Sequence, residues 1–500
     1  MSAVWIAGGA EFRRGVPAVV TGLVAVAALA AGGPVQASAA VTHGAVARAA
    51  ASGGTWGTAE EVPGTAALNQ GGSDGADAQA TSVSCASAGN CSAGGYYTDD
   101  SSNQQAFVVS EKGGTWGTAK QVPGTAALNQ GAVAALTSVS CTSAGNCSAG
   151  GFYTNHGLQA FVVNETNGTW GMAEEVPGTA ALNQGIFAQL SSVSCASAGN
   201  CSAGGTYENS SDESQAFVVN ETNGTWGTAK EVPGFSALNK GGIAGLTSVS
   251  CASAGNCSAG GYYFNGSGRQ VFVVSEKGGT WGTAKEVPGT ATLNKGEDAS
   301  LTSVSCGAAG NCSAGGSYRD SSVHDHAFVV NETNGTWATA KQVPGTATLN
   351  KGGTAQLTSV SCASAGNCSA GGYYTDGSNH QQAFVVAETN GTWGNAKKVP
   401  GTATLNTGGN ARITSLSCAS AGNCSAGGYY TNSNGQQAFV VGETSGTWGT
   451  AKEVPGTAAL NKSGNAAINS VSCASAEHCS AVGYYTDGND YRQAFVVNET

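Results

Sequence analysis

The chain carries little charge. Lys, Arg, Asp and Glu make up only 10% of its 500 residues, and the formal net charge is −11. The Lys and Arg residues are scattered, whereas a nucleic-acid surface gathers basic side chains into a stripe that displaces counterions. Beyond residue 40 no apolar run is long enough to span a bilayer. These absences argue against nucleic acid as a partner and against a membrane span in the mature chain.

What the sequence does contain is one phrase repeated eight times, with a period of 54 to 60 residues. The phrase reads S-V-S-C-x5-C-S-A-G-G-Y-Y, then a variable polar stretch, then Q-A-F-V-V, G-T-W and V-P-G-T-A-x-L-N. Repeats of this length are typical of arrays and propellers, so any binding site is expected in up to eight copies.

All sixteen cysteines fall in the repeated C-x5-C pairs. Zinc sites use closer Cys spacings and further ligands nearby, so we predict eight local disulfides and no metal, with metal sites as the alternative. Paired cysteines with none left over also indicate an oxidising compartment. The predicted pairs are Cys85 with Cys91, Cys141 with Cys147, Cys195 with Cys201, Cys251 with Cys257, Cys306 with Cys312, Cys362 with Cys368, Cys418 with Cys424, and Cys473 with Cys479.

The N-terminal segment differs from the rest. Arg13 and Arg14 precede an apolar run, and Ala37-Ser38-Ala39 supplies a small-residue cleavage site. This pattern predicts a secretory signal peptide over residues 1–39, with a membrane anchor as the alternative. A linker over residues 40–52 and a repeat domain over residues 53–500 follow. The predicted location is therefore extracellular.

Each repeat is predicted to form four antiparallel strands. In the first complete unit the strands fall at residues 81–85, 91–97, 105–109 and 115–122, and the Cys pair closes the first hairpin. The chain begins with a lone fourth strand at residues 55–62 and ends after a third strand. A first strand that completes the last blade closes a ring. We therefore predict an all-β, closed eight-bladed β-propeller with one-plus-three closure, and a solenoid as the alternative.

The turn between the third and fourth strands resembles the Asp-box hairpin of sialidases, S-x-D-x-G-x-T-W. Here it reads Ser110-Glu-Lys-Gly-Gly-Thr-Trp116, with the Asp absent and the turn one residue shorter. The repeat phrase is similar to that of repeat propellers secreted by actinobacteria, which include lectins of streptomycete toxin particles. The resemblance implies a propeller fold, a structural hairpin and a role in cell-surface recognition.

The loops between second and third strands and the connections between repeats share one face of a propeller, and we expect binding there. The Tyr-Tyr-Thr-[Asp/Asn] run at the end of the second strand provides the candidate contacts, because a Tyr ring stacks on sugars and Asp or Asn accepts hydroxyl bonds. Packing between blades is the alternative for these rings. The candidates are Tyr97, Asp99, Tyr153, Asn155, Tyr207, Tyr263, Asn265, Tyr318, Asp320, Tyr374, Asp376, Tyr430, Asn432, Tyr485 and Asp487.

An active site is not expected. A sialidase needs three converging arginines, whereas Arg269, Arg319 and Arg492 fall in the variable segments of three different repeats and Arg412 precedes a first strand. Loop carboxylates could form a glycosidase pair, but solvated acids are the simpler interpretation. His324 and His326 could bind a metal, although an isolated H-x-H is more often solvated.

The sequence thus predicts a secreted binding protein without catalytic residues or a cofactor. Near-identical repeats offer one surface many times, whereas catalysis needs unlike groups at one place. We expect a multivalent lectin-like protein that binds glycans or cell-surface polymers. The alternatives are a scaffold that binds a secreted protein partner and a sialidase-like glycoside hydrolase.

Overall fold

The computed structural model describes residues 54–73 and 75–500, and the predicted signal peptide and linker lie outside this range. Eight sheets of antiparallel strands follow one another in a ring, which confirms the predicted propeller. We number the blades 1 to 8 in chain order. Within each, the first strand pairs with the second, the second with the third, and the third with a short fourth.

The strands of equivalent position have nearly equal lengths. The first strands are Gln79–Ser87, Ala134–Ser143, Ala188–Ser197, Ala244–Ser253, Ser300–Ala308, Ala355–Ser364, Arg412–Ser420 and Ala467–Ser475. The second are Asn90–Thr98, Asn146–Thr154, Asn200–Glu208, Asn256–Phe264, Asn311–Arg319, Asn367–Thr375, Asn423–Asn432 and His478–Thr486. The third are Gln104–Lys112, Leu158–Thr166, Ser214–Thr222, Arg269–Lys277, Asp325–Thr333, Gln381–Thr389, Gly435–Thr444 and Arg492–Asn498.

The fourth strand is split into two short pieces rather than running continuously as predicted. In blade 1, Gly117 donates its N–H to the Ser110 carbonyl at 2.9 Å, and Ala119 donates to Pro63 of the preceding connection at 2.7 Å. The chain leaves the sheet there to bond to its neighbour. The first pieces are Thr115–Trp116, Thr169–Trp170, Thr225–Trp226, Thr280–Trp281, Thr336–Trp337, Thr392–Trp393 and Thr447–Trp448; the second are Lys120–Gln121, Glu174–Glu175, Lys230–Glu231, Lys285–Glu286, Lys341–Gln342, Lys397–Lys398 and Lys452–Glu453.

The ring closes as the repeat phase predicts. The strand Glu60–Glu61 pairs with the third strand of blade 8, with Glu60 opposite Val496 and Glu61 opposite Phe495. Trp56 forms a further antiparallel bridge to Glu499. The first strand of the chain thus supplies the outer edge of its last blade.

A single-turn helix, which the sequence did not predict, follows the V-P-G sequence of seven connections. The first Thr of each helix is fully buried, and in the first helix its Oγ1 donates to the Val62 carbonyl at 2.7 Å. In the remaining connection, Phe235 takes that Thr position and the turn is a 3-10 helix, Phe235–Ala237. The α-helices are Thr65–Leu68, Thr125–Leu128, Thr179–Leu182, Thr290–Leu293, Thr346–Leu349, Thr402–Leu405 and Thr457–Leu460. None of the helices in residues 54–73 and 75–500 has the length and hydropathy needed to cross a bilayer.

The S-V-S-C phrase joins each innermost strand to the next. Ser82 and Ser84 of blade 1 accept the backbone N–H groups of Val139 and Cys141 of blade 2, at 3.0 and 2.9 Å. The same two bonds, between 2.7 and 3.2 Å, recur at all eight interfaces, including the one that closes the ring. The innermost strands are therefore bonded around the whole ring.

All eight predicted disulfides are formed, each across the hairpin of the first and second strands. The two cysteines of a pair stand directly opposite each other in the strand register and are only 1–7% exposed. None of the cysteines that the structure describes is free, so the alternative of cysteine metal sites is wrong. The bonded pairs are Cys85 with Cys91, Cys141 with Cys147, Cys195 with Cys201, Cys251 with Cys257, Cys306 with Cys312, Cys362 with Cys368, Cys418 with Cys424, and Cys473 with Cys479.

The disulfides also contact the neighbouring blade. The second cysteine of a pair lies against a serine of the preceding second strand, as Cys257 Sγ does at 3.2 Å from Ser202 Oγ. At the closing interface Cys91 Sγ lies 3.3 Å from Ser480 Oγ, and Cys312 Sγ repeats the contact at 3.4 Å from Ser258 Oγ. The disulfides are thus part of the packing between blades.

A buried glutamate ties each third strand to the preceding blade. Glu276 accepts hydrogen bonds from Ser202 and Asn220, and Trp281 donates its indole N–H to the same Asn220 at 2.9 Å. Blades 6 and 7 have Ala387 and Gly442 at the Asn220 position, which leaves Glu443 Oε1 and Trp56 Nε1 buried without a hydrogen bond. The G-T-W hairpin and the buried glutamate before it therefore hold neighbouring blades together.

The paired glycines of the second strand are required by the neighbouring chain. A Cβ on Gly95 would lie 1.8 Å from the Gln79 carbonyl oxygen, and one on Gly94 would lie 2.9 Å from a methyl of Leu136 in blade 2. At the closing interface this pair is exchanged, because Val482 replaces the first glycine and the smaller Ala80 replaces the leucine. Large and small residues are thus swapped at one interface of the eight.

The exchanged pair makes a stability prediction. We expect Ala80→Leu to destabilise the protein by about 1–3 kcal/mol, because the added methyl groups meet buried Val482. Adding Val482→Gly should recover most of the loss, since it recreates the large-to-small arrangement of the other seven interfaces. Urea unfolding of both variants measures this. An equal loss in the single and double variants would contradict it.

The buried glutamates make a pH prediction. Burial raises the pKa of Glu111, Glu221, Glu276, Glu388, Glu443 and Glu499, although hydrogen bonds partly oppose it. A carboxyl whose pKa is higher in the folded than in the unfolded protein favours the folded state when it is protonated. Its contribution to the free energy of unfolding is fully present below the unfolded pKa, about 4.3, and is lost as the pH rises through the folded-state pKa.

We therefore expect Glu276→Gln to weaken the loss of stability between pH 4 and pH 8, measured as the difference in urea midpoint from the wild type. Glu60→Gln, at an exposed position, is the matched control. If the urea midpoints of wild type and Glu276→Gln changed with pH in parallel, Glu276 would not have the raised pKa described above.

Candidate functional site

The variable loops and the blade connections lie on one face of the ring, which we call the loop face. Gly71 and Gly131 of the connections donate to the carbonyls of Thr98 and Thr154, the last residues of second strands, at 3.0 and 2.7 Å. On the other face, which we call the turn face, Gly114 of the G-T-W hairpin donates to Gly89 of the Cys-bounded turn at 2.9 Å. The turn face is thus built from short turns bonded to each other.

The eight candidate tyrosines lie inside the blades. Tyr97, Tyr153, Tyr207, Tyr263, Tyr318, Tyr374, Tyr430 and Tyr485 are only 1–5% exposed and belong to the apolar clusters between blades. Burial raises the pKa of Tyr97 to about 12. Five of the hydroxyls contact a fourth-strand glutamate, as Tyr430 does with Glu453 at 2.8 Å. The ring faces are covered, and stacking on a sugar would need an exposed face.

The candidate Asp and Asn residues lie at the surface but bond within their own loops. Asp99 Oδ1 accepts the backbone N–H groups of Ser101 and Asn103, at 2.9 and 2.8 Å, and its Oδ2 accepts Gln105 Nε2 at 2.9 Å. Asp376 and Asp487 make the same contacts, and the Asn265 and Asn432 side chains accept backbone N–H groups. Asn155 donates its backbone N–H to Gly157. These residues shape the loops.

The blade 5 loop uses histidine for the same purpose. His326 takes the place of Gln105, with Nε2 2.9 Å from Asp320 Oδ2 and Nδ1 3.0 Å from Gln342 Nε2. Burial acts to raise the pKa of Asp320, but the N–H groups of His324 and Ser322 and the His326 ring outweigh it and lower this pKa to about 2. The rings of His324 and His326 are 6.5 Å apart and nearly perpendicular. Both nitrogens of His326 are thus already engaged by loop residues.

A different residue of each second strand reaches the surface of the loop face. It directly follows the glycine pair, and we call these the rim residues: Tyr96, Phe152, Thr206, Tyr262, Ser317, Tyr373, Tyr429 and Tyr484. Each pairs with the first residues of the innermost strand, as Tyr96 does with Gln79. All except Ser317 and Tyr373 are partly exposed. Their variation between repeats, beside an invariant Tyr, is the sequence signal that distinguishes them.

Two arginines meet at the boundary of blades 4 and 5. Arg269 Nη2 lies 2.6 Å from Asp298 Oδ1, and Arg319 Nη1 lies 2.9 Å from the other oxygen of the same carboxylate. Arg319 also bonds to Asp325 through Nε at 2.9 Å. The sequence interpretation, which kept these arginines apart in separate loops, is wrong for this pair, because Arg269 begins a third strand and Arg319 ends the second strand of the next blade.

The other two arginines lie against rim tyrosines. Arg492 is 3.3 Å from Asp77, and its guanidinium lies over the ring of Tyr484, 4.9 Å from the centroid. Arg412 lies 4.1 Å from the centroid of Tyr373 and 5.9 Å from that of Tyr429. Burial raises the pKa of Tyr373 and Tyr429, although the nearby Arg412 opposes it. Arginine side chains therefore lie against rim tyrosines in blade 4, at the boundary of blades 6 and 7, and in blade 8.

Acidic side chains occupy the opposite part of the loop face. In the loops and connections of blades 1 to 3, the described charged residues are all acidic: Asp77, Asp99, Asp100, Glu208, Asp212 and Glu213. In blades 4 to 8 and the connections that lead into them, cations and acids are mixed. The cations are Lys240, Arg269, Lys295, Arg319, Lys351, Arg412, Lys462 and Arg492, and the acids are Glu297, Asp298, Asp320, Asp325, Asp376, Asp487 and Asp490. The loop face is therefore asymmetric, although the repeats that build it are nearly identical.

The His, Cys, Asp and Glu groups that converge in the described ranges each combine one disulfide with one of the tying glutamates, namely Cys195, Cys201, Glu221 and Cys362, Cys368, Glu388. A disulfide has no thiolate to offer a metal. The acidic loops at residues 376–379 and 487–490 present their first carboxylate to backbone N–H donors. The disulfide–glutamate groups and the loop carboxylates are therefore accounted for by contacts that stabilise the fold, without a metal ion.

No family model and no curated protein sequence matches the chain. Among solved structures it is similar to Sqt1 of Chaetomium thermophilum bound to the N-terminus of the ribosomal protein L10, with 11% identity and a TM-score of 0.47, over 84% of this chain and 97% of that one. The Hadza microbial sialidase Hz136 matches with 12% identity and a TM-score of 0.34, over 69% and 74% of the two chains.

The sialidase of Trypanosoma rangeli in complex with the inhibitor DANA matches with 12% identity and a TM-score of 0.32, over 71% of this chain and 53% of that one. The neighbours include enzymes and a protein that binds another protein. At these identities the likeness concerns the fold alone, and function has to be argued from this chain's own residues.

The burial of the candidate tyrosines makes a prediction. We expect Tyr263→Ala to cost about 3–5 kcal/mol of stability, the usual range for removing a buried aromatic side chain. Tyr262→Thr, at the adjacent rim residue, should cost about 1 kcal/mol or less, because blade 3 already has Thr206 there. Thermal and urea unfolding measure both. A similar small loss in both variants would show that the Tyr263 ring is not held as described.

Proposed function

We propose that this protein is a secreted, non-catalytic recognition protein that binds carbohydrate on its loop face. The observation that carries the proposal is the row of partly exposed rim tyrosines interleaved with arginines near the start of the innermost strands. Aromatic faces and planar polar groups in alternation are typical of sugar-binding surfaces, since rings cover the apolar face of a sugar and polar groups bind its hydroxyls.

The state of the carboxylates supports binding over catalysis. A glycosidase needs one acid with a raised pKa beside a second, ionised carboxylate. On the loop face, burial raises the pKa of Asp77, but Arg492 is bonded to it and opposes the shift. Asp320 and Asp376 have lowered pKa values, because backbone and side-chain N–H donors outweigh their partial burial. These three acids are thus committed to ion pairs and loop turns.

The asymmetry of the rim favours one oriented ligand over eight equivalent ones. The invariant tyrosines are buried, and the exposed residues differ from blade to blade. Secretion fits the predicted signal peptide and the eight disulfides, which indicate an oxidising environment. The similarity of the repeat phrase to secreted actinobacterial propellers and lectins is in keeping with the same role.

A protein partner is the second candidate. The concentration of acids in blades 1 to 3, beside mixed cations and acids in blades 4 to 8, favours it, because an uneven distribution of charge orients a partner of complementary charge. In this case the same face is used, but a protein of defined stoichiometry occupies it.

A glycan array probed with the disulfide-bonded protein tests the proposal, and we expect a restricted set of oligosaccharides to bind. The double variant Tyr262→Thr/Tyr484→Thr should weaken binding about 5- to 160-fold, at about 0.5–1.5 kcal/mol per ring. Lys277→Gln, at an exposed position on the turn face, should have no effect. Silence on the array together with one stoichiometric protein partner would refute carbohydrate recognition, and turnover of aryl glycosides would refute the absence of catalysis.

A further inference from the structure

Arg412 differs from the other three arginines of the propeller because it has no carboxylate partner. Arg269 and Arg319 share Asp298, and Arg492 pairs with Asp77. No described Asp or Glu oxygen lies within 4.0 Å of the Arg412 guanidinium. The other three propeller arginines are each matched by a carboxylate, so Arg412 is the one among the described residues whose charge has no anion beside it.

The guanidinium is nevertheless held firmly in place. Its Nε donates to Gln381 Oε1 at 2.8 Å, and its flat face covers the ring of Tyr373 at 4.1 Å, with Tyr429 on the outer side. These contacts use Nε and the face of the group. The two terminal nitrogens, which form the fork that binds carboxylates in pairs, donate to no described residue. Arg412 is thus preorganised to bind a planar anion at its edge.

A second unmatched group lies beside it. Asn410, two residues earlier, has a buried side-chain oxygen without a hydrogen bond, and its backbone pairs with Gln381, the residue that holds Arg412. A buried acceptor of this kind calls for an O–H or N–H donor. Tyr429, which is partly exposed, supplies ring surface at the same place, whereas the buried Tyr373 holds the guanidinium. These side chains together therefore fit a carboxylate, a donor and an apolar face.

We propose that Arg412, Asn410 and Tyr429 form a subsite for an acidic sugar, with the carboxylate of a uronic acid on the Arg412 fork, a sugar hydroxyl donating to Asn410, and Tyr373 holding the guanidinium in place. The inference rests on the proposed carbohydrate recognition and adds the chemical class of the sugar. It also places the ligand at the boundary of blades 6 and 7 rather than at all eight boundaries.

The chain itself provides the test variant. Gln79, Gln189 and Gln356 occupy the Arg412 position in blades 1, 3 and 6, so Arg412→Gln installs a residue that the fold accepts. Arg412→Lys keeps the charge but loses the fork. Lys351→Gln removes the same charge from an exposed site on the loop face, in the connection that leads into blade 6, and is the matched control.

Isothermal titration with tetragalacturonate, and with galactotetraose as its neutral counterpart, measures the effect. We expect the acidic oligosaccharide to bind more tightly, Arg412→Gln to weaken it at least about tenfold, and Arg412→Lys to recover only part of the loss. Lys351→Gln should change the affinity less than about twofold, as expected for an exposed charge, and neutral binding should be insensitive to all three variants.

Other outcomes overturn the proposal and separate it from the function on which it rests. Equal binding of the two oligosaccharides, unaffected by Arg412→Gln, refutes the acidic subsite and leaves carbohydrate recognition standing. An equal loss in Arg412→Gln and Lys351→Gln refutes a built site in favour of general charge attraction. Binding of an acidic peptide but of neither sugar, weakened by Arg412→Gln, refutes the sugar and the carbohydrate function together.

Discussion

Every blade depends on its neighbour for the hydrogen bonds of its innermost strand. That strand is the edge of its own sheet, and its outward N–H groups would be buried without acceptors. The hydroxyls of the preceding blade's two serines meet this need, as Ser82 and Ser84 do for Val139 and Cys141. Serine is suited to the task because its oxygen accepts a backbone bond across a tight interface while its small side chain lets the blades approach. The S-V-S-C sequence therefore supplies acceptors for the next blade and donors to the preceding one.

These bonds between innermost strands also determine how the ring closes and where its surface residues lie. Closure is required at the eighth interface as at the others, and Ser470 and Ser472 meet Val83 and Cys85 there. Because the inner strands are fixed, the residues where they begin form a fixed rim on the loop face. The residues exposed on this face can then vary by substitution alone, without changes to the backbone that supports them. Arg412 shows this, since it occupies a position that is glutamine in three other blades.

The fold was predictable because its evidence is periodic and local. The Cys spacing, the alternation of each strand and the phase of the repeat each indicate the same ring, and the structure has it. The split fourth strand was not predictable, since it depends on a bond to the neighbouring connection, as Ala119 bonds to Pro63. The single-turn helices were not predictable either, since four residues are too short for a periodic pattern and each helix depends on the burial of its first Thr.

The sequence indicates which residues lie near the loop face, but not which of their side chains are exposed. Tyr96 and Tyr97 are adjacent and chemically identical, and only the register of the strand decides which one is buried. The tyrosine that is the same in all eight repeats is buried, and the residue before it, which differs between repeats, is partly exposed in most blades. The contact of Arg269 and Arg319 with one carboxylate joins different blades, so it was visible only in three dimensions.

The exchange of Val482 and Ala80 distinguishes the closing interface from the other seven. Seven interfaces are interchangeable, so their contacts alone do not tell a repeat which copy of the next it should meet. The closing interface is matched to the last blade against the first, since a leucine in place of Ala80 would crowd the buried Val482. Two chains that exchanged their terminal blades would still bring Val482 against Ala80, whereas a chain that closed one repeat early would place a glycine there and leave a cavity.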